Sequence, residues 1–426
     1  MDSRDRSPTL FRPGRPVHPR TLFLLLSALT GLFNSITFTL YGVYVVTGAG
    51  FDPLQLVLAG TAVEFAVFVS EVPTGVVADA YSRRASVIVG YVISGIGFAL
   101  MGASPTFLFI AGGQAVWGVG WTFISGAREA WLTDEIGVRE SAPVFVRSVQ
   151  VAQIARLLGI PLAVLIASSS LQAPLIVGGA GSIGLALMLM FTMTEAGYSP
   201  AAGGERNTWA SMVRALRLGV STVRSNSAMI TILLIGVLYG ASSEAIDRLD
   251  SLQMIETIGL PGGMSEVQWF GVFGAVSLIG GAIATGLAGR LSAVGEVAST
   301  RPLVRTLTAL TVVLTIASFA FALTDSIWVA LVALWITAWV RVAIRPLTLI
   351  WLNRGLASRS RATVLSMLGQ SDALGQVAGG PVLGLVGTLR TVRAALVGVG
   401  LILLPALGLY GRELVRGDGA AAEEGD

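Results

Sequence analysis

Long, predominantly apolar stretches of about 20 residues recur along this chain, separated by short polar interruptions. That recurrence leaves few folds open. In lipid every backbone polar group must be satisfied internally, so only helices or closed barrels span a bilayer. A barrel would show alternating segments of about 10 residues, which are absent here. The 426 residues are 54% hydrophobic and 12% charged, far below the roughly 25% charged of a soluble domain. The expectation is an all-α membrane protein with twelve transmembrane helices, near residues 22–46, 54–78, 85–104, 106–127, 149–169, 173–193, 228–249, 267–288, 303–323, 326–350, 362–386 and 391–411.

The placement of charge gives an expected topology. All 28 positive residues are arginine. Arg83 and Arg84, Arg139 and Arg147, Arg206 to Arg224, Arg290 and Arg301, and Arg354 to Arg361 fall in alternate loops, with Arg390 and Arg393 as exceptions. By the positive-inside rule both termini of this multi-pass protein are expected to be cytoplasmic. The arginine-rich start is not read as a secretory signal, because its apolar run is too long and lacks a small-residue cleavage motif. The pI near 9.6 reflects this one-sided arginine bias, so no nucleic-acid partner is expected. Zero cysteines exclude disulfides and thiol chemistry. His18 is the only histidine, and no metal cluster, nucleophile triad or phosphate loop occurs, so neither an enzyme nor a cofactor is expected.

The polar stretch 194–227 divides six spans from six, giving a tail 1–20, a bundle 21–193, a cytoplasmic linker 194–227, a bundle 228–411 and a tail 412–426. Trp131-Leu132 recurs as Trp351-Leu352, and Gln150, Gly159 and Pro161 recur as Gln370, Gly379 and Pro381, all at one offset of 220. Paired pseudo-symmetric halves are the trace of a transporter built for alternating access.

Ionisable residues inside spans are costly and mark pathways or pairs. Glu64 and Glu71 lie in the second span, Arg128 in the fourth, Arg156 in the fifth, Glu244, Asp247 and Arg248 in the seventh, Arg341 and Arg345 in the tenth, and Asp372 in the eleventh. Glu64 and Asp372 fall near the midplane, ~15 Å from a helix end at ~1.5 Å per residue. A carboxylate there can carry a proton, or it can pair with Arg156 or Arg341. Glu71, two turns on from Glu64 and just before Pro73, suggests gating or loop anchoring.

Helical spacing also groups candidate substrate contacts: Asn34, Thr37 and Tyr41 in the first span, Gln114, Trp117 and Trp121 in the fourth, and Trp335, Trp339 and Arg341 in the tenth. Aromatic rings with a few polar groups suit an amphipathic organic molecule. Helix packing is the ordinary alternative for any single ring.

The segment Gly75-Val-Val-Ala-Asp79-Ala-Tyr-Ser-Arg83-Arg84 resembles the signature loop between the second and third helices of the major facilitator superfamily of secondary transporters. Ala80 and Ser82 depart from its pattern, and the second-half counterpart Gly286-Leu-Ala-Gly289-Arg290 lacks the acid. The Glu-x-Pro-Thr-Gly form and Glu244-Ala-Ile-Asp247-Arg248 resemble a bacterial branch of drug/proton antiporters and tetracycline-like exporters. Gln114 stands where that branch commonly carries an arginine, and Gly159-Ile160-Pro161 is a shifted copy of its fifth-span motif. The resemblance implies two six-helix bundles, with spans 3, 6, 9 and 12 as lipid-facing support. It implies a cytoplasmic latch of Gly75, Asp79, Arg83 and Arg84, in which Asp79 meets the eleventh span near Arg361–Thr363 and Arg83 meets Asp134.

The expected function is a monomeric secondary transporter that exports an amphipathic organic compound in exchange for protons. A proton symporter or importer of a small metabolite, or a lipid flippase, would use the same fold.

Overall fold

A computed structural model describes the backbone of residues 17–198, 217, 220–224, 226–295, 300–354 and 361–423; the side chains of 289–295, 361–363 and 416–423 lie outside that description. Twelve long helices run through it: α1 (Pro19–Gly48), α2 (Pro53–Ala80), α3 (Arg83–Ala103), α4 (Phe107–Ile136), α5 (Val138–Ala167), α6 (Ala173–Thr192), α7 (Ser227–Ile258), α8 (Glu266–Gly295), α9 (Thr300–Leu323), α10 (Ile327–Arg354), α11 (Arg361–Leu389) and α12 (Val392–Glu423). No strand occurs among the described residues. Eleven of these helices are long and apolar enough to cross a bilayer; α11, interrupted by Gln370, Asp372, Gln376 and glycines, falls short of that apolarity.

The helices extend past the apolar runs that announce them. α4 breaks at Gly126 (φ +75°), resumes at Ala127 and ends only at Gly137 (φ +86°), from which α5 starts. Left-handed backbone suits glycine at both breaks. Arg139 and Arg147, expected in a loop, therefore stand on the first turns of α5. A count based on apolarity stops at the first charges, whereas the backbone ladder continues beyond them. α7 likewise runs past residue 249 through a π-helical turn, Gln253–Ile258, to Gly259 (φ +82°). α1 ends the same way, with π turn Tyr44–Gly48 and Gly50 (φ +64°).

The internal duplication is visible in the packing. A Cβ on Gly159 of α5 would strike Ser35 and Leu32 of α1, and one on Gly379 of α11 would strike Ala241 of α7. Glycine thus brings the fifth and the eleventh helix against the first helix of their own set of six. Trp131 and Trp351 are both buried; Trp131 donates to the Thr194 carbonyl at 2.6 Å, and Trp351 stacks on Tyr410.

Three apolar clusters set the overall shape. One, around Leu22, Trp131 and Leu189, joins α1–α6 at the end where α6 leaves for the linker; a second, around Leu303, Trp351 and Tyr410, joins α7 and α9–α12 at the same end. The third lies at the far end and draws on both sets, from Tyr44, Leu56 and Phe98 to Leu249, Phe273 and Leu383. The two sets of helices are therefore closed against each other at the far end and open at the linker end. The outward faces stay apolar: Val89, Val92 and Ile96 of α3, and Val312 and Ile316 of α9, are exposed, as expected where lipid replaces water.

The far-end seam is built on small residues. Gly380, Gly384 and Gly387 of α11 lie against Val57, Leu54 and Pro53 of α2. Asp52 caps α2 by accepting from the Gln55 N–H at 3.0 Å, and Thr388 of α11 donates its hydroxyl to the same Asp52 oxygen at 3.2 Å while accepting from Leu54 N–H at 3.0 Å. Gly271 and Gly274 of α8 face Val164 and Ile160 of α5 across the pseudo-equivalent crossing. A side chain on Gly60 would overlap Glu244 and Arg248 of α7. Gly60→Val is expected to weaken far-end closure by about 1–3 kcal/mol, the usual cost of overpacking. Faster labelling of a cysteine placed at Thr388 by a membrane-impermeant maleimide would report it.

Candidate functional site

Between the two sets of helices lie three connected chambers. The largest, about 730 Å³, is walled by α7, α10 and α11 and includes Tyr239, Ser242, Asp247, Thr337, Arg341, Arg345, Asp372 and Gln376, with Glu64 of α2 entering from the other side. A second, about 560 Å³, is lined by Asn34, Phe38, Trp117, Trp121 and Arg156, again with Glu64. The third, about 310 Å³, reaches toward the closed far end past Tyr41, Asp247, Arg248, Asp250 and Ser251. Glu64 stands where the first two chambers meet, and Asp247 where the first and third meet.

α7 supplies more of the charge than any other helix, through acids and an arginine at helical spacing. Arg248 donates to Glu244 at 3.1 Å; Glu244 is buried and the pair rests on the bare backbone at Gly60. Removing one member would leave a buried charge uncompensated. One turn along, Arg341 of α10 grips Asp247 with both terminal nitrogens, at 2.6 and 2.8 Å. Water reaches this second pair, so it contributes only about 0–1 kcal/mol; its effect is to hold Arg341 in place. Asp372 accepts from Gln376 Nε2 at 2.9 Å, one turn further along its own helix. Glu64 makes no ion pair or hydrogen bond among the described residues, and neither does the Arg345 guanidinium.

The expected pairings are thereby redrawn. Arg341 engages Asp247 instead of Glu64 or Asp372, because α7 stands between α10 and α2. Arg156 lines the second chamber without an ion pair among the described residues. Asn34, Tyr41, Trp117, Trp121 and Arg341 line chambers, and Gln114, Trp335 and Trp339 do not. Gln114 is fully buried (0% exposed) behind the wall that Trp117 forms, with no hydrogen bond of normal geometry from its amide. Trp335 and Trp339 donate to the Phe273 and Ser277 carbonyls and pack α10 onto α8, with Gly280 making room for the Trp339 ring. For these two tryptophans helix packing is the reading that holds. Thr37 is likewise buried, against α6. The support helices differ between the halves: α3 and α6 contribute nothing to the chambers, whereas Leu314 and Ser318 of α9 and Val399 and Leu403 of α12 form the back wall of the largest.

At the linker end, Arg83 reaches Asp134 at 2.5 Å and lies 3.7 Å from Asp79. Asp79 makes no described contact with α11, and the side chains of Arg361–Thr363, its implied partners, lie outside the described residues. Gly75 has no described atom outside its own helix turn within 4 Å of where a Cβ would stand. Glu71 bridges the halves instead, accepting from Gln370 Nε2 at 2.9 Å. Arg84 donates its N–H to Glu195 and its guanidinium to the Met190 carbonyl.

Two groups of residues were not expected from the sequence. Asp250, hydrogen-bonded to Ser251 in the third chamber, escapes notice because the apolar run of α7 stops at 249 while the helix continues. The first linker residues form a clip: Glu195 accepts from Ser82 Oγ, Gly197 N–H donates to Glu135, and the Tyr198 hydroxyl donates to the Asp79 carbonyl at 2.7 Å. No sequence signal short of these bonds links residues 194–198 to the loop at 79–84.

Comparison with known proteins gives this geometry a context. A family model described as the Major Facilitator Superfamily matches residues 23–334. An uncharacterized MFS-type transporter of Bacillus subtilis (strain 168), YxaM, is 28% identical over 117 residues, a match spanning 28% of this chain and 29% of that relative. Among solved structures, the nucleoside transporter NupG is similar with a TM-score of 0.70 at 15% identity, covering 93% of this chain and 99% of that one. A bacterial homologue of the human lysosomal transporter Spinster, inward-facing and unoccupied, gives 0.71 at 15% identity with 92% and 95% covered. A POT family transporter in complex with a thioalcohol-conjugated peptide gives 0.72 at 13% identity with 94% and 96% covered. At such identities these likenesses concern the fold alone.

Proposed function

Because this chain belongs to the Major Facilitator Superfamily and is a membrane transporter of that type, we propose that it works by alternating access and exports an amphipathic organic compound in exchange for protons. The linker end then faces the cytoplasm of a bacterial cell, and the structure is the state that loads cargo from that side. Glu64 and Asp372 carry the protons. Asn34, Tyr41, Trp117, Trp121 and Arg341 contact the compound. Glu71, Gly75, Asp79, Arg83, Arg84 and Asp134 form the gate that closes the linker end when the far end opens.

The observation that supports this most is the state of Glu64. Glu244, Asp247 and Asp250 of α7 each have a hydrogen-bond or ion-pair partner, whereas Glu64 stands between two chambers without one among the described residues. A carboxylate of that kind is free to accept a proton when the cargo leaves and to lose it when the cargo binds. Exchange follows if the two compete for one group, since each then displaces the other.

Proteoliposomes loaded with a pH-sensitive dye and given a panel of cationic, neutral and anionic amphiphiles test the reading. At least one compound is expected to move against an imposed proton gradient, with protons flowing the opposite way. Compound and protons moving together would favour a symporter, and flux indifferent to the gradient would remove proton coupling.

A further inference from the structure

We propose that the cargo is an amphipathic zwitterion, its cationic group held by Glu64 and its anionic group by Arg345. This rests on the transport reading above and narrows it to a substrate class.

Charge in the largest chamber carries the inference. Five charged side chains line it: Glu64, Asp247, Arg341, Arg345 and Asp372. Asp247 and Arg341 neutralise each other through two hydrogen bonds. Asp372 accepts from the neutral Gln376 amide and lies within the electrostatic reach of Arg341 and Arg345 without a direct contact to either. Glu64 and Arg345, one of each sign, make no hydrogen bond or ion pair among the described residues, and both line the same 730 Å³ space. Glu64 comes from α2 and Arg345 from α10, on opposite sides of the seam.

Charge without a direct partner in a bilayer is costly, and it is kept where a partner arrives during function. A cation alone would engage Glu64 and leave the Arg345 guanidinium without a hydrogen bond, and an anion alone would do the reverse. A molecule with both charges answers each, and in doing so ties the two halves together. That contact suits a carrier, which must sense its cargo from both sides before the linker end closes. The guanidinium presents a planar fork suited to a carboxylate or sulfonate. The apolar body has a surface waiting beside Glu64: Phe38, Trp117 and Trp121 line the adjoining chamber, and their rings also favour a nearby ammonium. Protonation of Glu64 removes the anion that holds the ammonium, so proton and zwitterion exclude each other.

Binding to the full-length chain in lipid nanodiscs separates this from the transport reading, because it needs no gradient. Two matched sets serve as probes, of short and long charge separation: phenylalanine with its methyl ester and its N-acetyl derivative, and 8-aminooctanoic acid with the same two derivatives. In at least one set the zwitterion is expected to bind at least about tenfold tighter than either partner, the size of one charge-assisted hydrogen bond. Arg345→Gln should reduce the zwitterion to the affinity of the ester and leave the ester unchanged; Arg345→Lys should restore part of the difference. A zwitterion that binds no tighter than its ester in both sets, or an Arg345→Gln variant that weakens ester and zwitterion alike, overturns the proposal. Zwitterion preference without proton exchange in proteoliposomes would leave it standing and sink the antiport reading alone.

Discussion

Glu64→Gln is expected to abolish gradient-driven transport while leaving the folded protein in the membrane. Glutamine keeps the shape and polarity of the side chain but can neither bind nor release a proton. No partner is stranded by the change, since Glu64 makes no ion pair or hydrogen bond among the described residues. Stability should therefore move little, which separates this position from Glu244, whose loss would strand Arg248. Coupling free energies between two ligands of one protein run to about 1–3 kcal/mol, so the ratio of driven to undriven flux should fall about 5- to 150-fold. The measurement is flux with and without a pH gradient in wild type and variant at matched protein density. Undiminished gradient-driven flux in Glu64→Gln would end the case for this carboxylate as the proton carrier.

The second large effect concerns the far end. Asp52→Cys combined with Thr388→Cys places thiols where two side-chain oxygens lie 3.2 Å apart across the seam, in a chain with no other cysteine. Each single change removes part of one helix cap, worth roughly 0.5–2 kcal/mol, and should slow transport only modestly. Oxidation of the pair should fix the far end shut and bring transport to background, and a reductant should restore it. Alternating access requires this seam to open once per cycle. A cross-linked protein that transports at the reduced rate would show that the seam never parts.

Much of the architecture was legible in the sequence, because the physics of the bilayer is simple. Helices must be apolar for about 20 residues, and the spacing of Trp131/Trp351 and Gly159/Gly379 carries the duplication in the sequence itself. Glu64 and Asp372 were marked by depth alone. What the sequence did not disclose is partnership. Helical spacing put Gln114, Trp117 and Trp121 on one face, yet a face also has an edge, and Gln114 fell behind it. Trp335 and Trp339 obeyed the same spacing and turned toward α8, where Gly280 leaves a hollow. Arg341 could have met three acids; Asp247 took it because α7 is the nearer neighbour. Asp250 and the Glu195–Tyr198 clip depend on where helices end and chains fold back, which apolarity does not report.

The modest apolarity of α11 also bears on how the protein is made. Leaving a translocon sideways requires a segment to prefer lipid over water on its own, and Gln370, Asp372, Gln376 and a run of glycines weigh against that for α11. Asp372 and Gln376 answer each other within the helix, but the rest waits for earlier helices: Glu71 of α2 takes Gln370, and the bare backbone at Gly375 and Gly379 fits against Val237 and Ala241 of α7. α11 should therefore be recruited into the membrane by helices synthesised long before it. The order of synthesis thus becomes part of the folding mechanism: the helix that seals the seam inserts late, into a groove that α2 and α7 already provide.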